Sequence, residues 1–265
     1  MATLVLTCLL GLLVVYLVLE TRMHNRRWKR VPIRIHVNGT RGKSSTTRLI
    51  AAGLRSTGKT VVAKTTGSTA RVILPNGREL PLFRPLGANI REQFRVLRLA
   101  AQLEAQILVI ECMALQPELQ WLSERWFVHA THGVLTNCRP DHLDVMGPTS
   151  ADVADALAGS IPRSGVLFTG ERQFLPRIRG ACADRRTELV EATEADVQAI
   201  GEEELSGFQH DEHPQNVALA LAICERLGAN RTEALHAMWD AAPDAGAKFI
   251  MHLDFFGRDI IFVNG

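Results

Sequence analysis

The sequence predicts an α/β fold: a mostly parallel sheet flanked by helices, preceded by one N-terminal transmembrane helix. Three observations carry that expectation. Short β-rich runs alternate with longer segments of helical period, a Gly-Lys-Ser turn directly follows the first such run, and residues 3–19 are an uncharged aliphatic stretch. Alternation of this kind marks a parallel sheet with helices on its faces. The chain has 265 residues, 46% hydrophobic and 22% charged, so it reads as globular rather than disordered and can bury one sizeable core or two modest ones.

The aliphatic stretch, TLVLTCLLGLLVVYLVL, is at the short end of what spans ~30 Å of hydrocarbon. Behind it come Arg22, Arg26, Arg27, Lys29 and Arg30, and the positive-inside bias puts this side in the cytoplasm. Trp28 suits the interface. A cleaved signal peptide would carry its charges first and a small-residue cleavage site afterwards, and neither pattern is present. Residues 1–30 are therefore expected to be a single-pass anchor with a basic cytoplasmic flank. A net charge of +2 gives no case for nucleic acid as a partner, which would require a basic face as well as a basic total. The five cysteines (Cys8, Cys112, Cys138, Cys182 and Cys224) include no C-x-x-C pair, so neither a disulfide framework nor a zinc site is suggested, which fits a reducing compartment.

After the anchor, strands are expected at 31–37 (VPIRIHV), 60–65 (TVVAKT), 107–112 (ILVIEC), 133–137 (GVLTN) and 165–170 (GVLFTG). Helices are expected at 44–57, stopped by Gly58; at 89–105, capped by Asn89; and at 213–227, ended by Gly228. The Gly- and Pro-rich segment 67–88 reads as a long loop near the site or a β-hairpin around Asn76-Gly77. At the end of the sequence, FGRDIIFVNG (256–265) reads as a strand running into a loop.

Val37-Asn38-Gly39-Thr40-Arg41-Gly42-Lys43-Ser44-Ser45 nearly matches the phosphate-loop pattern G-x-x-x-x-G-K-[ST] but has Val37 where that pattern has Gly. With a strand before it and a helix after it, such a turn aims backbone N–H groups and a helix N-terminus at a phosphate. Lys43 adds a point charge, and the Ser44 hydroxyl can hold Mg²⁺. Glu111 closes ILVIEC at the C-terminal end of a parallel strand, the edge where open α/β sheets place ligands. Asn137-Cys138-Arg139-Pro140-Asp141-His142-Leu143-Asp144 follows another strand and offers two carboxylates and an imidazole for a second cation. Each alone has a bland reading: a strand-to-helix turn, a surface ion pair, a helix cap. Their convergence gives them weight. Asn216, on the first turns of a helix, could read a purine edge or serve only local hydrogen bonding.

These residues together, G-T-R-G-K-S at 39–44, Glu111 after ILVI, N-x-x-x-D-H-L-D at 137–144 and N-V-A-L-A-L-A from 216, resemble the central P-loop ATPase domain of the Mur ligase superfamily. Its loop is written G-T-x-G-K-[ST], which accounts for Val37. The finer match, in NGTRGKSSTTRL, AKTTGSTAR, ECMALQPE, DHLDVMGPT, A-P-D-x-G-A at 242–247 and the final FVNG, resembles the ligase subunits of poly-γ-glutamate synthases. The resemblance implies an ATP-dependent amide ligase that phosphorylates a terminal carboxylate to an acyl phosphate, which the amine of glutamate then attacks. It implies ATP and two Mg²⁺ ions as cofactors. Nucleotide would contact Gly39, Thr40, Arg41, Gly42, Lys43, Ser44, Ser45 and, by the adenine, Asn216. Lys43, Glu111 and His142 would be catalytic. Ser44 and Glu111 would hold one metal, Glu111 with His142 the second, and Thr66 would be a further ligand. Implied partners are glutamate, the growing poly-γ-glutamate chain and small integral membrane subunits, with location at the cell membrane.

The resemblance divides the chain into an anchor (1–30), an ATP-binding domain (31–250) and the start of a C-terminal domain (251–265) that would continue beyond Gly265 or be supplied in trans. It also raises a discrepancy. Many Mur-type ligases place a carbamylated lysine behind the second metal, and here no lysine lies between Lys64 and Lys248. Two other readings remain open from sequence: a nucleotide-binding assembly or regulatory subunit without ligase activity, and an unrelated membrane-tethered P-loop ATPase or kinase.

Overall fold

The structure is a computed structural model that describes residues 1–67, 69–84, 87–244, 249–255 and 258–264, with side chains described up to 244. The chain opens with α1 (Ala2–Arg30), then β1 (Ile33–Asn38), α2 (Lys43–Arg55), β2 (Val61–Lys64), β3 (Arg71–Ile73), β4 (Glu79–Pro81), α3 (Glu92–Gln102) and β5 (Ile107–Glu111). It continues through α4 (Pro117–Leu122), extended by a π-helical turn Ser123–Val128, to β6 (His132–Leu135), α5 (Leu143–Met146), α6 (Ser150–Ala158), β7 (Val166–Thr169), α7 (Leu175–Arg185) and β8 (Glu188–Glu191). Then come α8 (Glu194–Gln198), α9 (Glu202–Ser206), α10 (Pro214–Arg226), α11 (Arg231–Trp239), β9 (Phe249–Phe255) and β10 (Arg258–Asn264).

Eight strands form one sheet in the order β4-β3-β2-β5-β1-β6-β7-β8. From β2 to β8 all neighbours are parallel, and the β3–β4 hairpin adds an antiparallel edge. The hairpin turns through Asn76-Gly77 as expected: Gly77 has φ of +83° and the Asn76 side chain accepts from the Arg78 N–H at 3.1 Å. Side chains alternate between the two faces of each strand. Ile35, Val37, Val61, Ala63, Val109, Val134 and Phe168 pack with Leu49, Ile50 and Leu54 of α2 and with α10 and α11 on one face. Val62, Leu108 and Ile110 pack with Val96 and Leu97 of α3 on the other, where Leu135 and Leu167 meet α6 and α7. Each such aliphatic side chain removed from water stabilises the fold by about 1.5–3 kcal/mol.

β1 lies at the centre of the sheet between β5 and β6. Its C-terminal end, with those of β2, β5 and β6, therefore forms one continuous rim, and all the candidate site residues except Asn216 hang from that rim or from the loops after it.

The helix expected at 89–105 is shorter. Asn89 does not cap it; its side chain accepts from the Arg91 N–H at 2.9 Å, an Asx turn, and Arg91 is the N-cap without a side-chain cap bond. The A-P-D-x-G-A motif falls partly outside the described residues, at 245–247. The strands β9 and β10 pair antiparallel in a separate two-stranded sheet. α1 is 29 residues long and apolar enough to cross a membrane. Its last turns lie on the domain: His24 is buried edge-on against Phe94, and Trp28 stacks on His129 at 5.1 Å between ring centroids.

Candidate active site

The loop from Asn38 to Gly42 is held from three sides. Asn38 is buried and donates from Nδ2 to Gln120 Oε1 (2.8 Å) and Ser160 Oγ (2.9 Å), while its Oδ1 accepts the Gly39 N–H. Asn137, just past β6, accepts from Thr40 Oγ1 (2.6 Å) and the Arg41 N–H (3.2 Å) and donates to the Arg41 carbonyl (3.0 Å). Thr136 Oγ1 donates to that same carbonyl at 2.7 Å. This lacing leaves no room for side chains at two positions. A Cβ on Gly39 (φ +134°) would lie 2.0 Å from Thr136 Oγ1, and one on Gly42 (φ +79°) would lie 2.6 Å from Asn216 Oδ1. Only glycine accepts both constraints.

Gly42 is the N-cap of α2, and no side chain caps that helix. The first N–H to find an intrahelical partner is that of Thr46, bonded to the Gly42 carbonyl at 2.9 Å, so the N–H groups before it have no helical acceptor. Lys43 Nζ folds back to donate to the carbonyls of Gly39 (2.7 Å) and Thr40 (3.1 Å), which places its charge across the mouth of the loop. Free N–H groups, the positive end of the helix dipole and an ammonium thus face one space.

Glu111, almost fully buried at the end of β5, gathers the other side. Its Oε2 accepts from Ser44 Oγ (2.8 Å) and the Thr66 N–H (2.7 Å), and its Oε1 accepts from Thr66 Oγ1 (2.5 Å). Two hydroxyls and a carboxylate within hydrogen-bond reach of each other are a hard-oxygen set of the kind Mg²⁺ takes. Beyond them lies a cavity of about 360 Å³, lined by Gly39, Thr40, Lys43, Thr66 and Glu111 on one wall and Asp141 and His142 on the other. His142 is the N-cap of α5 with φ of +47°, its side chain 48% exposed and 3.8 Å from Asp141, which itself pairs with Arg41 at 3.5 Å.

The expected residues are thus brought together with two exceptions of detail. Asp144 is exposed on α5 and does not line the cavity, so the Asp-His-Leu-Asp loop contributes one carboxylate and the imidazole. Among the described residues no three His, Cys, Asp or Glu side chains form a metal-binding group, because the oxygens around Glu111 come from Ser and Thr. Asn216 packs over Gly42 and donates to Glu212 at 2.9 Å.

Three contributors had no local signal. Arg84 lines the cavity and forks onto Glu92 at 2.7 and 2.9 Å. Behind it Lys64, fully buried, lies 3.5 Å from Glu92, and burial pulls its ammonium below the usual lysine range against the attraction of Glu92 and Glu111. Arg48, one turn after Ser44, binds Glu79 at 2.8 Å and Asp244 at 2.9 Å, which brings Asp244 beside the loop. Lys64 and Arg48 join residues far apart in the chain, and Arg84 reaches α3 from the loop before it.

Residues 37–158 match the model of the Mur ligase middle domain. The whole chain is similar to capsule biosynthesis protein CapB of Bacillus anthracis, 40% identical over 96% of this chain and 54% of that protein. It is also similar to PGA synthase CapB of Bacillus subtilis (strain 168), 36% identical over 94% of this chain and 63% of that one. The chain therefore spans between about half and under two thirds of these relatives' length. In three dimensions it resembles E. coli FolC, a complex with ADP without folate substrate, at a TM-score of 0.65 and 18% identity over 91% of this chain and 64% of that one. Folylpolyglutamate synthase of Mycobacterium tuberculosis, complexed with ADP, gives a TM-score of 0.61 and 15% identity over 86% of this chain and 62% of that one. At such identities the likeness is one of fold, and it is the α/β fold that the alternating strands and helices predict.

Proposed function

We propose that the chain is the nucleotide-binding part of an ATP-dependent acid–amino-acid ligase that extends poly-γ-glutamate at a membrane. The observation that carries this reading is the convergence, at the C-terminal rim, of the uncapped α2 N-terminus, Lys43 and the Ser44–Thr66–Glu111 oxygen cluster, around two cavities that share Thr40, Lys43, Gly67 and Glu111. The similarity to two CapB proteins, one of them named a PGA synthase, supports the choice of polymer.

On this reading the loop N–H groups and Lys43 hold the β- and γ-phosphates of ATP, and Asn216 lies by the adenine. A polymer carboxylate enters the cavity and attacks the γ-phosphorus in line; its oxygen gains the phosphoryl group and ADP leaves. Two anions must meet for this, so the chain concentrates positive potential at that point through Lys43, the α2 dipole and Arg84. The amine of glutamate then attacks the acyl carbon, phosphate departs and an amide remains. The donor set fits Mg²⁺, which Ser44, Thr66 and Glu111 would hold, with His142 and Glu111 for a second ion; it would supply charge neutralisation between the phosphate oxygens. The helix α1 anchors the domain in the membrane with its basic flank and the catalytic domain on the cytoplasmic side, beside small integral membrane subunits of the synthase.

ADP release with glutamate, polyglutamate and Mg²⁺, compared between wild type and Lys43→Ala, tests the reading. Release dependent on both substrates and lost in the variant is expected. Equal release by the two proteins would sink it.

A further inference from the structure

A second cavity, of about 410 Å³, lies beside the catalytic one, between the C-terminal half of α1 and α3. Glu20, His24 and Arg27 line it from α1, and Arg91, Arg95 and Arg98 from the other side. Each set is spaced i, i+4, i+7, which puts its members on one face of a helix. The two faces oppose each other. Among the described residues Arg27, Arg91, Arg95 and Arg98 form no ion pair, and Arg91, Arg95 and Arg98 are exposed. The nearest buried carboxylate, Glu92, is already engaged by Arg84 and Lys64. The groove therefore presents a row of guanidinium groups to solvent with Glu20 as its one uncommitted acid among the described residues.

Arg84 belongs to both cavities. The two cavities therefore adjoin at Arg84, and Glu20 brings the groove up to the apolar part of α1.

We propose that this arginine groove binds the anionic glutamate polymer, gripping the chain behind the end that reacts in the catalytic cavity. The proposal rests on the ligase reading and adds to it a polymer-specificity site. Guanidinium groups four residues apart on a helix are about 6 Å apart along its axis. An extended glutamate polymer repeats its carboxylates on roughly that scale, and each arginine can take a carboxylate with two N–H donors. The groove's adjacency to the reacting cavity through Arg84 favours a substrate chain over a lipid headgroup, which would need access only from the membrane side. It also explains how a soluble polyanion is kept at an enzyme whose total charge is near neutral: the positive charge is gathered in one track.

The test uses the full chain in detergent, with a double variant Arg95→Gln/Arg98→Gln at exposed positions where folding is not at stake. A labelled synthetic glutamate oligomer is titrated and followed by fluorescence anisotropy, with ATP binding measured on the same samples. Wild type is expected to bind the oligomer in a salt-sensitive manner, the variant to bind it about tenfold more weakly, and ATP binding to be unchanged. Equal oligomer affinity in the two proteins would overturn the proposal. So would an unchanged oligomer affinity with a loss of binding to phosphatidylglycerol vesicles, which would make the groove a membrane contact. Wild type that binds the oligomer but no ATP would instead count against the ligase reading and leave the groove standing, whereas ATP binding without oligomer binding would sink the groove alone.

Discussion

The two walls of the candidate active-site cavity are built in opposite ways. The phosphate-loop wall is interlocked: Asn38, Thr40 and Ser44 are buried, Thr136 and Asn137 lace the loop to β6, and Lys43 is tied to two carbonyls. The wall carrying His142 is sparse. Its imidazole is about half exposed, its backbone is left-handed, and its neighbour Asp141 reaches only Arg41 at 3.5 Å and the imidazole itself at 3.8 Å. The first wall is therefore formed by the fold, while the second has few internal bonds. Preorganisation is concentrated where the phosphates would sit.

If that contrast is right, substitutions on the two walls separate stability from activity. The largest effect is expected for Gly39→Ala, whose added carbon would fall 2.0 Å from Thr136 Oγ1 on a backbone at φ +134°. Thermal unfolding should show a loss of about 1–3 kcal/mol, and calorimetry should find no nucleotide binding. Lys43→Ala removes two hydrogen bonds to the loop and should cost about 1 kcal/mol of stability, while lowering the rate of ADP formation by about 10²–10³-fold, the order seen when one preorganised charge-stabilising donor is removed.

A smaller effect concerns the support beneath the interlocked wall. His36, two residues before Asn38, is buried and bonded to Glu124 at 2.8 Å. Burial opposes its charge, but the Cys112 sulfur and the Glu124 carboxylate outweigh that and raise its pKa to about 9. A pKa raised on folding means that the protonated pair stabilises the fold fully below the unfolded value of about 6.5 and that this contribution is lost as pH rises through about 9. Wild type should therefore lose stability between those limits more steeply than His36→Gln, as read from urea midpoints across the range. A parallel decline in both would refute the assignment.

The smallest stability effect belongs to the sparse wall. His142→Ala should change unfolding free energy by less than about 0.5 kcal/mol, as expected at an exposed position, yet reduce ligation at limiting Mg²⁺. A large drop in melting temperature would show that the loop is held by the fold after all.

What could be read from the sequence follows the same division. The strands ending at Asn38, Lys64, Glu111 and Leu135 announce themselves by β-rich runs and turn residues, and the rim they form follows from the parallel order. Gly42-Lys43-Ser44 and Glu111 were legible because their chemistry is local to a strand end. The lacing by Thr136 and Asn137 was not, since it joins residues nearly a hundred positions apart through side chains that are common in any loop. The Lys64–Glu92–Arg84 cluster was hidden because Lys64 ends β2 and Glu92 opens α3, two elements whose packing no local pattern announces. Asn89 misled because its amide satisfies an Asx turn two residues on, which competes with capping. Asp144 looked equivalent to Asp141 in the motif, but one turn of α5 carries it out to solvent.

The central claim is that the loop at 39–44 and Glu111 together hold a metal-bound nucleotide. Titrating ATP into wild type, Ser44→Ala and Glu111→Gln, each with and without Mg²⁺, tests it most directly. Wild type should bind more tightly with Mg²⁺ than without, and both variants should lose that Mg²⁺-dependent gain while keeping the metal-free affinity supplied by Lys43 and the α2 N-terminus. Variants that retain the full gain would contradict the claim.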